Sequence, residues 1–187
     1  MKTTNRPSSP RRFVQFAPLI LLLVAAGCTC PYGQSVVIPQ SDTTTPAVTM
    51  DFHMPNGQII TVTPTSGPNT VTITSPSDTV AVWASATGAN GIQDIQIWAD
   101  QITWITYPNG GTAQSGPGLM GGPSASSPDN STPGQSGCTE RVANQNLTVS
   151  HLVGHGIDKR VSFDVFATGL NFSGVKVSTP TVRLQAP

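Results

Sequence analysis

Charge is scarce in this chain: Asp, Glu, Lys and Arg together make up 10% of its 187 residues, against about a quarter in an average globular protein. Aromatic residues are few as well, 6% in all, and three of them are Trp. With Gly at 18, Pro at 17 and abundant Ser and Thr, this composition argues against a helical protein and suits a turn-rich extracellular β protein. A basic stripe is also missing. Lys2, Arg6, Arg11 and Arg12 all precede the first apolar run, and the remainder carries five bases against nine acids, a balance of −4 with His neutral. Nothing there can neutralise a row of phosphates, so no nucleic-acid partner is expected.

Chemistry-bearing motifs are equally sparse. No Gly-x-Ser-x-Gly elbow and no Asp-x-Asp-x-Asp run occurs, and these are the arrangements that expose a nucleophilic Ser or gather oxygens around calcium. Asp94, Asp100, Asp158 and Asp164 read as solvated charges, with calcium at loop ends as the alternative. His151 and His155 flank Leu152-Val153-Gly154. Gly154 and Gly156 rule against the helix that would set both imidazoles on one side, so these residues, with His53 far away, are expected to be solvated loop residues. Glycosidase carboxylates are unmarked too. The expectation is a non-enzyme with no cofactor and no metal.

A membrane span needs about 20 apolar residues, and here the first apolar run stops at Gly27 and turns polar at Thr29, so a permanent single span is the weaker reading. What the N-terminus holds is shorter: FVQFAPLILLLVAA, Phe13 to Ala26, behind four basic residues. That is a secretory signal pattern. Its end, Val24-Ala25-Ala26-Gly27-Cys28, resembles the lipobox of bacterial lipoproteins, with Ala25 where the family more often has Leu, Val or Ile. The resemblance implies that residues 1–27 are removed, that Cys28 is acylated and becomes the mature N-terminus, and that a lipid anchor holds the chain at the membrane. Thr29, where many inner-membrane lipoproteins carry Asp, implies by the same resemblance the outer membrane or cell surface.

Three cysteines in an exported chain leave one thiol odd unless another use is found for it. Acylation of Cys28 leaves Cys30 and Cys138 able to form a disulfide, with a bond to another chain or a reduced Cys30 as the alternatives. Cys28-Thr29-Cys30 is too tight a pair for a zinc site.

Beyond the cysteines, Pro31 to Pro46 is polar and lacks periodicity outside Val36-Val37-Ile38, so residues 28–46 are expected to form a flexible tether. Short alternating runs rich in Val, Ile and Thr then recur between Gly, Pro, Asn and Ser clusters, the pattern of an all-β sandwich over 47–187. Strands are predicted at Val48 to Phe52, Gln58 to Thr63, Thr70 to Thr74, Thr79 to Thr87, Ile92 to Ala99, Ile102 to Tyr107, Asn146 to Leu152, Lys159 to Thr168 and Val175 to Leu184. The period of two assigns Val80, Val82, Ala84, Ala86, Ile95, Ile97, Ala99, Val161, Phe163, Val165 and Ala167 to the core. Ser85, Thr87, Asp94, Gln96, Ser162 and Asp164 fall on the water side. Gly88-Ala89-Asn90-Gly91 is predicted to close a hairpin, Gly169 to Gly174 to link the last two strands, and Pro180 to interrupt the final one. Residues 108–137, with only Leu119 and Met120 as sizeable apolar side chains, are expected to be a disordered insertion that folding does not need.

DTVAVWASATGANGIQDIQIWAD is similar to the second and third strands of bacterial immunoglobulin-like and fibronectin-type-III-like modules, and VSFDVFATGLNFSGVKVSTPTVRL to their closing hairpin. The resemblance implies an immunoglobulin-like β-sandwich. It transfers no site residues, because such modules share no catalytic set. One constellation remains: Trp83 and Trp98 fall opposite the aliphatic residues of consecutive strands, so paired strands would bring the two indoles together on an outer face, with Trp104 nearby and Tyr107 in reach. Exposed aromatic planes bind sugar rings or proteins. The expected class is therefore a structural or adhesive envelope module held at the membrane by its lipid, with an envelope protein or a glycan as its further partner. Binding of carbohydrate or peptidoglycan through Trp is the alternative, and an envelope enzyme is the remotest. Sequons at Asn130, Asn146 and Asn171 would matter only in a eukaryotic secretory pathway.

Overall fold

Alternating β-branched residues demand two sheets with facing apolar sides, because each strand buries every second side chain. The computed structural model describes residues 30–75, 77–119, 124–125 and 128–187. Residues 1–27, read as a signal, and Cys28 lie outside the described residues. The strands are β1 (Ser35–Val37), β2 (Ala47–His53), β3 (Ile59–Val62), β4 (Thr70–Thr72), β5 (Thr79–Thr87), β6 (Ile92–Thr106), β7 (Thr112–Leu119), β8 (Ser124–Ala125), β9 (Ser136–Cys138), β10 (Glu140–Thr148), β11 (Ser150–Gly154), β12 (Ile157–Asn171), β13 (Lys176–Ser178) and β14 (Val182–Gln185).

One sheet has the order β10-β5-β2-β3, and the other β4-β14-β12-β6-β7, with β11 and β13 also paired to β12 and β8 to β6. Pairing is antiparallel except for β4 beside β14. Val48, Met50, Phe52, Val80, Val82, Ala84 and Ala86 of the smaller sheet meet Ile95, Ile97, Ala99, Phe163, Val165, Ala167, Val182 and Leu184 of the larger in one buried core. Val161 packs partly buried against it. The expected core face is thus observed on all three strands for which it was read. Ser162, expected to face water, is buried instead, opposite the buried Ile102 of β6.

The connection after β5 departs from expectation. Gly88 to Gly91 makes a turn closed by the Gly91 N–H donating to the Gly88 carbonyl at 3.1 Å, but β5 and β6 belong to different sheets. The turn carries the chain across the sandwich, and β5 pairs with β2 and β10 instead. A second crossing comes at Val149, fully buried between β10 and β11. That is why the single strand predicted at Asn146 to Leu152 is two strands in two sheets. The break predicted between Ala99 and Ile102 is absent, since β6 pairs with β12 without interruption from Ile95 to Thr106. The last run divides, as its proline requires, into β13 and β14, and the Thr179 hydroxyl accepts the Ala167 N–H at 3.0 Å in the gap.

The segment read as a tether is docked. β1 pairs with β9, Ile38 is buried, and Asp42 is 4% exposed. The Asp42 carboxylate accepts the Thr44 N–H at 2.9 Å, the Thr44 hydroxyl, the Asn90 amide at 2.9 Å and the Asn171 amide at 3.2 Å. Asp42 also donates its own N–H to the Ser173 hydroxyl at 2.7 Å. One carboxylate thereby ties the N-terminal segment to the crossing turn and to the turn after β12.

The insertion is also more ordered than its composition suggests in the parts described. β7 and β8 extend the larger sheet along β6. The Asp129 N–H donates to the Gln93 carbonyl at 2.8 Å, and the Ile38 N–H donates to the Gln135 carbonyl at 2.8 Å. Arg141 closes an ion pair with Asp129 at 2.9 Å. Backbone pairing with a sheet edge needs no large apolar side chains, which is why composition missed it.

Burial pushes the Asp42 pKa up, but the hydrogen bonds from Thr44, Asn90 and Asn171 outweigh it and hold the group below its ordinary 3.8. A carboxylate lowered on folding contributes stability that is full above its unfolded pKa of about 3.9 and is lost as pH falls through the folded value. Asp42→Asn sets an amide donor against the Asn90 and Asn171 donors and is expected to cost about 1–3 kcal/mol at neutral pH. In paired urea titrations the gap between wild type and variant narrows below about pH 4. A gap that is absent, or constant with pH, refutes the role given to this carboxylate.

Candidate functional site

Trp83 lies on β5 and both Trp98 and Trp104 on β6. Because the sequence neighbours of Trp83 and Trp98 point into the core, both indoles sit on outer faces, and Trp104 follows Trp98 on the same face of β6 by alternation, but β5 and β6 lie in opposite sheets. Trp83 and Trp98 are therefore on opposite sides of the sandwich, separated by two sheets whose planes stand about 10 Å apart. The aromatic cluster expected from a hairpin does not form, and the crossing at Gly88 to Gly91 is the cause.

Each Trp has its own setting. Trp98 stacks on Phe166, its register partner, with ring centroids 5.9 Å apart and planes 2° from parallel. It is half-buried, and its Nε1 is buried without a hydrogen bond. Trp104 is exposed beside a cavity of about 470 Å³ lined also by Arg160, Ser162, Arg183 and Gln185. Both guanidiniums there already hold carboxylates: Arg160 pairs with Asp158 at 3.0 Å, and Arg183 donates from Nη2 to Asp164 at 2.8 Å. The hydrogen bond that Arg183 donates to Asp164 raises the Arg183 pKa above its ordinary value, so this cation is committed. Trp83, 39% exposed, tilts against His53 at 6.0 Å beside a separate cavity of about 300 Å³. Tyr107 stands exposed in the loop after β6, on the larger sheet's side.

The histidines are not loop residues of one kind. His151 is on β11, half-buried, with its Nε2 2.9 Å from the Asp158 carboxylate. Arg160 first, and His151 after it, hold the Asp158 pKa below its ordinary value. His155 and Gly156 both have positive φ, 49° and 75°, and form the two-residue loop between β11 and β12, the geometry of a type I′ hairpin. The His-Gly pair is the sequence signal for this hairpin. Asp94 has Oδ1 buried without a partner, and burial raises its pKa against the hydrogen bonds from Ile95 and Gln96. Among the described residues no three of His, Cys, Asp and Glu gather in a way that could hold a metal ion.

At one end of the sandwich Cys30 is bonded to Cys138, with Cα atoms 5.5 Å apart. The intramolecular alternative is the one observed. At the other end β6 and β12, 15 residues each, outrun the nine-residue β5 and β10. Their core residues stop at Ala99 and Val161, and beyond them β11, β12, β6 and β7 form an arm with Leu152 (56%), Val153 (73%) and Ile157 exposed.

No protein-family description and no curated protein matches the chain. Among solved structures it is similar to a sporulation control protein, Spo0M from Bacillus subtilis, at 13% identity and a TM-score of 0.32, over 75% of this chain and 50% of that one. The chain thus spans half the length of that neighbour, and a likeness this slight carries no argument.

The crosslink closes a chain separation of 108 residues, which on the chain-entropy model contributes about 4–5 kcal/mol. Replacing both cysteines by Ala is expected to lower the urea midpoint accordingly, and a reductant should produce the same shift in the wild type. Full-stoichiometry thiol labelling of native Cys30 and Cys138 would contradict the assignment.

Proposed function

We propose that this chain is an exported, lipid-anchored envelope protein that presents a non-catalytic immunoglobulin-like module for structural or adhesive contact at the outer membrane or cell surface. The observation that carries this reading is the Cys30–Cys138 bond. Disulfides persist in oxidising compartments outside the cytosol, and this one uses two of three cysteines, leaving Cys28 alone at the end of its apolar run.

Strand order supports the immunoglobulin-like part. One sheet contains β2-β5-β10 and the other β6-β12-β14, with the chain changing sheets after β5 and again after β10. An early strand, β4, runs parallel beside the last one. This is a Greek-key connectivity of the kind such sandwiches use.

The geometry refines how the module is displayed. Cys28 is two residues before Cys30, a reach of at most about 7 Å, so an acylated Cys28 holds the crosslinked end of the sandwich close to the lipid surface. No long tether intervenes. The arm lies at the opposite end of strands about 50 Å long, and its exposed Leu152, Val153 and Ile157 offer the contact surface for an envelope protein.

Metabolic labelling with an alkyne fatty acid, followed by membrane fractionation, tests the anchor. Wild type is expected to be labelled and to sediment with membranes, whereas Cys28→Ser is unlabelled and is not processed after Gly27. Acyl chains supply about 0.8 kcal/mol per buried methylene, so loss of lipid should release any cleaved product from the membrane. A Cys28→Ser protein that is cleaved at the same place and stays membrane-bound defeats the proposal.

A further inference from the structure

The outer face of the smaller sheet carries a row in register: Asn144 of β10, Trp83 of β5, Asp51 of β2 and Thr61 of β3. His53 stands in the adjacent row on one side, and Ser85, Thr49 and Val142 on the other. Tyr32, 45% exposed, lines the same open cavity as Trp83, Asp51, His53 and Ser85. Here a half-exposed indole has no aromatic stack covering it, and its surround is polar.

That surround has hydrogen-bonding capacity to spare. Asp51 takes the Thr61 hydroxyl on Oδ1 at 2.6 Å and keeps its second oxygen as an acceptor. The Thr49 and Ser85 hydroxyls, 2.8 Å apart, use one proton between them and retain the other as a donor. Asn144 is exposed and brings an amide with both donor and acceptor ends. A flat apolar plane fringed by donors and acceptors is complementary to a pyranose ring, which has a C–H face and a rim of hydroxyls that both donate and accept.

Two other ligand classes fit worse. A lipid surface needs a continuous apolar or basic face, and here Asp51, Ser85, Thr49 and Asn144 interrupt it. An anionic sugar or phosphate would meet the Asp51 carboxylate. We infer that the Trp83 cavity is a binding subsite for a neutral pyranose unit of a glycan chain, with the indole as platform, Asp51 and Asn144 reading hydroxyls, and Tyr32 closing one side. This inference does not depend on the lipid anchor, and it narrows the three-Trp expectation to a single residue.

The test is calorimetric titration of the full chain in detergent with cellotetraose, chitotetraose, xylotetraose and maltotetraose, beside trigalacturonate and anionic vesicles. At least one neutral tetrasaccharide is expected to bind saturably, weakened at least about tenfold in Trp83→Ala and in Asp51→Asn, partly restored in Trp83→Phe, and unchanged in Trp104→Ala. Denaturation midpoints of the variants separate lost binding from lost folding, and Trp83→Phe with Asp51→Asn carries the test if Trp83→Ala does not fold. Absence of saturable binding by every neutral tetrasaccharide at about 10 mM, where even millimolar affinity registers, overturns the inference. So does binding indifferent to Trp83 and Asp51, or preferential Trp83-dependent binding of trigalacturonate or vesicles.

Discussion

A buried carboxylate must find hydrogen-bond donors, because leaving an ionised oxygen unsatisfied in the interior is far costlier than any one contact gains. Asp42 meets that requirement only if three separate stretches of chain converge on it: its own segment through Thr44, the crossing turn through Asn90, and the turn after β12 through Asn171. Asn171 in turn accepts the N–H groups of Ser173 and Val175 at 3.0 and 2.8 Å, so its side chain is committed at both ends. The crosslinked end of the sandwich is organised around this demand. With Asp42 fixed, the N-terminal segment lies along the molecule, β1 reaches β9, and Cys30 is delivered to Cys138.

The other end obeys a different constraint. Two 15-residue strands cannot be covered by nine-residue partners, so part of the larger sheet extends beyond the shared core. Lateral pairing of β11, β12, β6 and β7 satisfies its backbone, but pairing does not hide side chains, and Leu152 and Val153 remain in water. Lys159 and Arg160, two of the five bases beyond residue 28, stand on the same arm, where Asp158 pairs with Arg160. The molecule is therefore polar in the geometric sense, with a polar knot and a crosslink at one end and an exposed apolar arm at the other.

Much of this was legible in the sequence, and what was not has definable causes. Residues Thr79 to Thr87 announce their strand and its buried face without ambiguity, and the core side of β6 and β12 follows from the same period. Alternation states which side chains share a face but not which sheet the strand joins. A Gly-Ala-Asn-Gly turn serves equally as hairpin loop or sheet crossing, so the placement of Trp98 relative to Trp83 was beyond local pattern. Asp42 looks like any solvated charge until its partners, 48 and 129 residues away, are brought in. Residues 112–119 and 128–137 have few apolar side chains to reveal them, because edge strands and turns are held through backbone groups.

The three Trp residues show how far residue type alone carries a binding argument. Trp98 has its ring face against Phe166, so its plane is already used. Trp104 borders cations that neighbouring carboxylates have neutralised and held in place. Trp98 therefore offers no open plane, and Trp104 offers one with Ser162 and Gln185 beside it but between two committed ion pairs. Trp83 joins an open plane to a carboxylate oxygen left free, because its register neighbours across four strands are Asn144, Asp51 and Thr61 rather than aromatic or basic residues. Strand register, a long-range property, therefore decides which of three chemically identical side chains retains a surface suited to a ligand. A one-residue slip of β5 against β2 would turn Trp83 into the core and bring its buried neighbours Val82 and Ala84 to the surface, so the core that fixes the register fixes the site as well.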